Sequence, residues 1–309
     1  MQRARNVLAE AVVGRTRLEV AWLAANAIAI PILALIWWHV ASHPWHNDAY
    51  AFWNAWTDGS LYPPTWQPVS EYVYSPAFAQ AFWPLTELRF SLVNAAWALL
   101  QLLVLVWMLG PAGALIALAV PIPNIAGYGG AAYGGPVYAS LYNGNPMILT
   151  AGAITLGLTR WPGAFAYVLL TKVSAGVGIA WFAVRREWRN LAIALGTTAA
   201  ITAVSVVLAP GLWADWLSLL AGAVIHSGSS GTLDKELFVP VALAIRGPIG
   251  LALIALAGWR GWAWLVAVGC FLARPDIHLG GFAVLAAVPA IWWRTRTPLS
   301  WPPCRPSTS

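Results

Sequence analysis

The chain has 309 residues, of which 60% are hydrophobic and 9% are charged. So few charged side chains cannot cover a soluble globule of this length, and the composition therefore indicates a membrane protein with several spans. The net charge of +6 comes from arginines at the ends of apolar segments, which is the positive-inside pattern and leaves no basic face for nucleic acid. Two cysteines, Cys270 and Cys304, do not predict a disulfide framework or a cysteine metal site.

The first apolar segment, residues 20–40, is long enough to span a membrane and lacks the usual signal-peptide cleavage site. Arginines precede it, so we expect the amino terminus inside the cell and residues 42–88 outside. This external loop is rich in aromatic residues, carries four acidic residues and is followed by Arg89. Its first acid, Asp48, lies at the membrane surface, where an ionisable group is either a topology marker or a working group.

Seven further apolar segments are predicted to cross the membrane. They comprise residues 90–109, 114–123, 147–158, 191–208, 239–257, 262–272 and 282–293. Pro111 and Gly113 predict the turn between the first two of these segments. Pro210 ends the fourth, and the Trp- and Leu-rich residues 212–224 that follow predict an amphipathic helix at the membrane interface.

A short hairpin is predicted between two basic turns. Only 24 residues separate Arg160 from Arg185, and both have the surroundings of cytoplasmic residues. A single span between them would place Arg185 outside. Two short helices that meet near Lys172 and Gly176 keep both arginines inside and bring the lysine towards the external face.

The predicted fold is therefore all-α, a polytopic transmembrane protein of about eight spans with a re-entrant hairpin. We expect one domain over residues 1–309, with a flexible tail at residues 301–309 and both termini in the cytoplasm. Three polar loops and the hairpin tip converge on the extracytoplasmic face, so active-site chemistry is expected there.

Three groups of short motifs stand out along the chain. The first comprises Asp48-Ala49-Tyr50, Leu61-Tyr62, Tyr74-Ser75-Pro76 and Pro84-Leu85. The second comprises Asn143-Gly144-Asn145, Lys172 and Arg185-Arg186-Glu187-Trp188-Arg189. The third is Arg274-Pro275-Asp276-Ile277-His278. In these motifs the chain resembles glycosyltransferase family 87, the mannosyltransferases of the GT-C superfamily that use polyprenyl phosphate sugars.

The chain departs from the family pattern at two places. The family's Gly-Gln-x-Asn element lacks its Gln here, where the sequence is Asn143-Gly144-Asn145. Ser174-Ala175-Gly176 replaces the Pro that usually follows the lysine. The chain is also shorter than typical members.

The resemblance implies a GT-C-type enzyme of the cell membrane that moves a hexose, mannose above all, from a polyprenyl phosphate to a lipid or glycan acceptor with inversion. No cofactor is expected and no metal ligands are assigned, while metal dependence is not fixed by the sequence. Asp48 would be the general base. Lys172, His278 and Arg274 would surround the donor phosphate, and the acceptor or sugar would contact Tyr50, Tyr62, Tyr74 and Asn145.

Each of these residues also has a structural interpretation. Asp48 heads a helix-forming segment and is a good helix cap, a role compatible with that of a base. Lys172 could set the depth of the hairpin by extending its ammonium group to the interface. His278 could start a helix and bond to Asp276 or to the backbone.

Two other groups of side chains allow a functional and a structural interpretation. His39, His43 and His46 allow a metal site, since His39 and His43 have the i, i+4 spacing of helical ligands and Asp48 is nearby, but histidines at the interfacial end of a span are the stronger interpretation. The loop aromatics could stack on sugar rings or anchor the loop at the interface. This loop set comprises Trp53, Trp56, Trp66, Tyr72 and Tyr74.

Two further functions remain open from the residues alone. A lipid or solute transporter would place ionisable or broken-helix positions near mid-membrane in paired halves, whereas this chain concentrates its polar groups at one face. An inactive paralogue that serves as a partner subunit is the other alternative.

Overall fold

The computed structural model describes residues 17–43, 48–56, 61–62, 74–120, 135–227, 241–275, 277 and 279–296. The predictions for Asp276, His278 and the tail at residues 301–309 lie outside these ranges. Within them, all regular structure is helical. The α-helices are α1 (Arg17–Ser42), α2 (Asp48–Asn54), α3 (Pro76–Phe82), α4 (Phe90–Ala119), α5 (Pro136–Tyr142), α6 (Met147–Thr159), α7 (Phe165–Thr171), α8 (Ala180–Val184), α9 (Trp188–Leu208), α10 (Pro210–Ser227), α11 (Leu243–Arg260), α12 (Trp264–Leu272) and α13 (Ala287–Arg296).

Four of the described helices, α1, α4, α9 and α11, are long and apolar enough to cross a membrane. The predicted segment at residues 147–158 forms the shorter apolar helix α6. These helices confirm an all-α polytopic membrane protein. The four long helices have mean hydropathies between 1.3 and 2.3 over their most apolar windows, which is why they are stable with much of their surface towards lipid.

The helix α4 is interrupted where the sequence predicts a turn. Gly110 has φ 74° and ψ 164°, which is not helical, and Pro111 follows it. At the other end of α4, Trp37 of α1 donates to the carbonyl of Ala95 at 2.9 Å. If α4 were straight, Val120 would therefore lie roughly 37 Å from Ala95 and from the part of α1 that contacts it.

The contacts of α5 show that α4 folds back at this break. Gly135, at the start of α5, lies against the carbonyl of Val120. Tyr142, at the end of α5, stacks on His39 near the carboxyl end of α1, with ring centroids 6.2 Å apart. Because α5 is only about 10 Å long, Val120 lies near that carboxyl end. The chain therefore turns at Gly110 and returns, as the sequence predicts.

The predicted hairpin is confirmed by contacts between its two arms. Helix α7 ends at Thr171, and Lys172 has a non-helical backbone before a 3-10 helix over Val173–Ile179. A Cβ on Gly178 would lie 2.9 Å from Phe165 Cε1, and the rings of Phe165 and Phe182 are 5.7 Å apart. The beginning of α7 thus meets the far end of the second arm, so the chain reverses at Lys172.

The last predicted span begins differently from the expectation. Leu279–Ala286 is a 3-10 helix, and the α-helix α13 follows only from Ala287. Two glycines of the 3-10 segment make close contacts: a Cβ on Gly280 would lie 3.5 Å from Ser140 Cα, and one on Gly281 would meet the Arg274 guanidinium. The tighter helix fits this segment against α5, a long-range contact that local sequence does not encode.

An aromatic cluster joins the short helices α2 and α3 to α4. It consists of Phe52, Tyr74, Phe78, Phe82 and Trp97. The contacting rings have centroids between 5.0 and 6.4 Å apart, mostly edge to face or tilted. Trp216 of α10 packs on the same cluster. This burial of large rings holds α2 and α3 against the bundle.

Candidate active site

Asp48 is the first residue of α2. Its backbone N–H donates to the carbonyl of Asn143 at 2.9 Å, so the start of α2 is tied to the loop that follows α5. A carboxylate in the first turn of a helix is stabilised by the exposed N–H groups there. The helical start predicted for Asp48 is thus present, and it orients the carboxylate towards the loop after α5.

The carboxamide of Asn145 holds this carboxylate. Its Nδ2 donates to Asp48 Oδ2 at 2.7 Å, and its Oδ1 accepts from the backbone N–H of Met147 at 3.2 Å. The backbone of Asn145 is held in turn, because its N–H donates to Ser140 O at 2.9 Å and its carbonyl accepts from Ser140 Oγ at 3.1 Å. Asn145, expected at the acceptor or sugar, therefore contacts the candidate base.

Gly144 allows the loop to approach α2. Its φ is +66°, in the left-handed region that favours glycine. A Cβ at this position would lie 2.7 Å from Ala49 Cβ and 3.0 Å from Ala49 N. Both the backbone conformation and the space therefore require glycine beside Asp48.

Replacing Gly144 by Ala is expected to destabilise the protein by about 1–3 kcal/mol, because it adds backbone strain and a clash with Ala49. Thermal unfolding in detergent would show a lower midpoint. Gly196→Ala is the matched control, since nothing lies within 4 Å of a Cβ there and alanine favours the interior of α9. An unchanged midpoint in Gly144→Ala would contradict the close approach.

Lys172 reaches the neighbourhood of α2 through two aromatic rings. Its Nζ lies 4.8 Å from the centroid of the Tyr74 ring, and that ring contacts Phe52 edge to face at 5.0 Å. Phe52 is one helical turn after Asp48 on α2. The backbone N–H of Ser75 also donates to the carbonyl of Leu170 at 3.4 Å. The hairpin tip at Lys172 and helix α2, which begins with Asp48, therefore line the same side of the candidate site.

The three tyrosines predicted at the acceptor occupy different places. Tyr62 and Tyr74 are buried, and Tyr62 Oη donates to the Tyr74 carbonyl at 2.7 Å. Burial, with a further contribution from the Asp215 carboxylate, raises the pKa of the Tyr62 hydroxyl above its usual range. Tyr50 is half-buried and lies edge-on to Phe90 at 5.1 Å.

Arg274 is fully buried at the end of α12. Another buried arginine, Arg246 of α11, donates to the carbonyls of Arg274 and Pro275. The guanidinium of Arg274 lies against Gly281, one residue after the glycine that packs on Ser140. This packing puts Arg274 on the same side of the bundle as the loop after α5. His278, its predicted companion, lies outside the described residues.

The histidines at the end of α1 interact with each other. The rings of His39 and His43 are 4.6 Å apart, and His43 Nδ1 is 2.8 Å from the carbonyl of His39. Among the side chains in the described ranges, no group of three His, Cys, Asp or Glu residues comes together as a metal site would require.

Two residues beside the site were missed from the sequence. Trp97 and Gln101 of α4 bond to the backbone at Gly144 and Asn145. Gln101 is fully buried. A glutamine within an apolar span is itself a signal, because a polar group in the membrane needs a partner and is commonly functional.

A comparison with protein families identifies the class of protein to which this site belongs. The sequence matches glycosyltransferase family 87 over residues 72–302, most of the chain. The chain belongs to glycosyltransferase family 87. This family 87 protein is therefore a membrane glycosyltransferase, and it acts on a sugar donor and an acceptor. The matched range includes Tyr74, Asn145, Lys172, Arg274 and the position of His278, and it begins after Asp48. Searches of curated proteins and of solved structures gave no match.

Proposed function

We propose that this family 87 protein transfers mannose from a polyprenyl phosphate to a hydroxyl of a lipid or glycan acceptor at the extracytoplasmic face of the cell membrane. The observation that carries the proposal is the 2.7 Å hydrogen bond from the Asn145 carboxamide to the Asp48 carboxylate. It orients a carboxylate beside the loops and hairpin tip where a lipid-linked substrate would enter.

Asp48 acts as the general base in this proposal. An alcohol is a weak nucleophile at neutral pH, so its proton must leave as its oxygen attacks the anomeric carbon. The carboxylate takes that proton, the new glycosidic bond forms, and the bond from the anomeric carbon to the phosphate oxygen breaks. The electron pair of the broken bond leaves with the polyprenyl phosphate. A single displacement of this kind inverts the anomeric configuration.

Cations stabilise the leaving phosphate. Negative charge grows on its oxygens as the glycosidic bond breaks, and fixed positive groups lower the energy of that state. Lys172 at the hairpin tip is the first such group, because its ammonium lies on the wall that α2 also lines. Arg274, whose guanidinium lies against Gly281 of the 3-10 segment, is the second proposed cation, and His278 is given the same role on the family resemblance alone.

The distribution of arginines supports the extracytoplasmic orientation. Several arginines stack on tryptophans at or near helix ends, as is typical of an inner membrane interface. The pairs are Arg185–Trp181, Arg260–Trp259, Arg294–Trp107 and Arg296–Trp292, with 4.4 to 5.0 Å from guanidinium carbon to ring centroid. In this proposal Asp48 and the hairpin tip face the opposite side of the membrane. Both termini are therefore assigned to the cytoplasm.

Tyr50, Tyr62 and Tyr74 are assigned to the acceptor side. Tyrosine rings stack on the apolar faces of sugars and offer a hydroxyl for hydrogen bonding. Half-buried Tyr50 lies two residues after the base on α2 and is the first contact proposed for the acceptor. Tyr62 and Tyr74 are more enclosed, and in this proposal they shape the wall behind it.

Reconstitution in liposomes tests the donor class. The protein is incubated with an acceptor lipid extract and either radiolabelled polyprenyl phosphate mannose, polyprenyl phosphate glucose or GDP-mannose. We expect transfer from polyprenyl phosphate mannose alone. Transfer from the glucose donor would correct the sugar, and transfer from GDP-mannose would contradict a lipid-linked donor. Movement of labelled lipid across the bilayer without any transfer would favour a transporter.

A further inference from the structure

Gln101 occupies an unusual place for its chemistry. It is fully buried in α4, a helix apolar enough to cross a membrane. It follows Trp97 by four residues, so the two side chains share one face of the helix. A buried carboxamide is costly unless its donor and acceptor are both bonded. The partners of Gln101 therefore indicate what it does.

Those partners are the loop after α5 and Trp97. Trp97 Nε1 donates to the carbonyl of Gly144 at 2.7 Å. In the carboxamide orientation that satisfies both neighbours, the Gln101 nitrogen donates to the carbonyl of Asn145 at 2.7 Å and its oxygen accepts from Trp97 Nε1 at 3.1 Å. Two successive carbonyls of the loop are thus attached to one face of α4.

The same loop residue carries the hydrogen bond to the acid. From the Asn145 backbone, held by Gln101 and Ser140, the side chain extends to Asp48 Oδ2. Its amide has little freedom, because Oδ1 accepts from Met147. A shift of the Asn145 backbone would therefore be passed directly to the carboxylate.

We propose that Gln101, together with Trp97, is a positioning residue that fixes the Asn145 carboxamide against Asp48 and so sets the direction in which the carboxylate meets the acceptor hydroxyl. The inference rests on the proposed role of Asp48. Since a misplacement of about 1 Å can cost roughly a hundredfold in rate, loss of this support is expected to lower kcat by about ten- to a hundredfold. KM is expected to change little, because the hydrogen bonds of both α4 residues are made to the loop backbone and to each other and the proposed substrate contacts are made by other residues.

A double-mutant cycle in transfer kinetics tests the route of this effect. Gln101→Met keeps the length and volume of the side chain but removes both hydrogen bonds, and Asn145→Ala removes the contact with the base. If Gln101 acts through Asn145, Gln101→Met lowers kcat in the wild-type background and adds little in the Asn145→Ala background. An equal further loss in both backgrounds would overturn the proposal, as would an unchanged kcat in the single variant.

Gln80→Met is the matched control. Gln80, like Gln101, bonds to a backbone carbonyl, that of Ser205 at 3.2 Å, but it is only partly buried, and it lies on α3 and not beside the loop at Asn145. The identical chemical change there is expected to leave kcat within about twofold. A tenfold loss in Gln80→Met as well would attribute the effect to general loss of packing.

A second measurement does not depend on catalysis. A water-soluble carbodiimide reacts with protonated carboxyl groups, and mass spectrometry reports labelling of Asp48. A lost hydrogen bond favours the protonated acid, so labelling should rise roughly three- to tenfold in Gln101→Met and in Asn145→Ala but not in Gln80→Met. If the wild type transferred no sugar, the proposed function would fail while this result stood. A rise in Asn145→Ala without one in Gln101→Met would overturn the positioning role.

Discussion

The Asp48→Asn variant is expected to lose about a hundred- to ten-thousand-fold of its rate of sugar transfer while it folds normally. A carboxamide cannot accept the acceptor's proton at neutral pH, and general bases contribute roughly this factor. The carboxamide oxygen can still accept the hydrogen bond from Asn145 Nδ2, which is 2.7 Å from the native carboxylate. Radiolabel transfer from polyprenyl phosphate mannose, at matched protein amount and unfolding midpoint, measures the loss.

Glu87→Gln provides the control for Asp48→Asn. Glu87 lies in the same predicted external loop and is exposed, so its substitution removes one negative charge from the same face without touching the site. Its transfer rate should stay within about twofold of the wild type. A wild-type rate in Asp48→Asn would reduce Asp48 to a helix-start residue. Equal losses in both variants would point to the charge of the loop.

Much of the fold can be predicted from local chemistry. The Gly110-Pro111 pair breaks α4 because one residue takes positive φ and the next lacks an N–H. The hairpin at Lys172 follows from the spacing of Arg160 and Arg185, since charged guanidiniums do not cross the membrane easily. Both features depend on residues close together in the chain, and both are confirmed.

The structure at the start of the last predicted span could not be predicted from local sequence. Its apolar composition predicts an α-helix, but Leu279–Ala286 is a 3-10 helix that lies beside Ser140, far away in sequence. In a sequence alone, two adjacent glycines are compatible with a turn, a flexible segment or a close packing contact. Only the folded chain shows that Gly280 lies beside Ser140 and that a Cβ on Gly281 would meet the Arg274 guanidinium.

The candidate site likewise combines residues that the sequence predicts with contacts that it does not. Asp48 was predicted from its position after the first span, and Asn145 from its motif, yet their hydrogen bond joins residues 97 positions apart. Nothing in the spacing of either residue encodes that contact. Gln101 was detectable only as a polar residue in an apolar helix, and its partners became clear when α4 was placed beside the loop. Long-range pairing, rather than residue type, determines these roles.

The Lys172→Gln variant is expected to lose about a hundred- to a thousand-fold in kcat/KM for transfer, the second largest effect. Removing a fixed charge that stabilises a developing anion typically costs this factor. Tyr74 should keep its place, because it also packs on Phe52 and Phe78. Steady-state kinetics with polyprenyl phosphate mannose give the loss, and Lys172→Arg should recover part of it, since the charge is retained but its shape changes.

Two comparisons separate the phosphate role of Lys172 from a role in hairpin depth. Lys235 is the other lysine of the chain and is predicted to lie outside between two acids, so Lys235→Gln should leave kcat/KM nearly unchanged. If Lys172 only sets the depth of the hairpin, Lys172→Gln should lower the unfolding midpoint but leave the transfer rate per folded molecule unchanged. That outcome would remove Lys172 from the donor site. A preserved midpoint with a rate lost for the mannose donor would instead place its charge at the leaving phosphate.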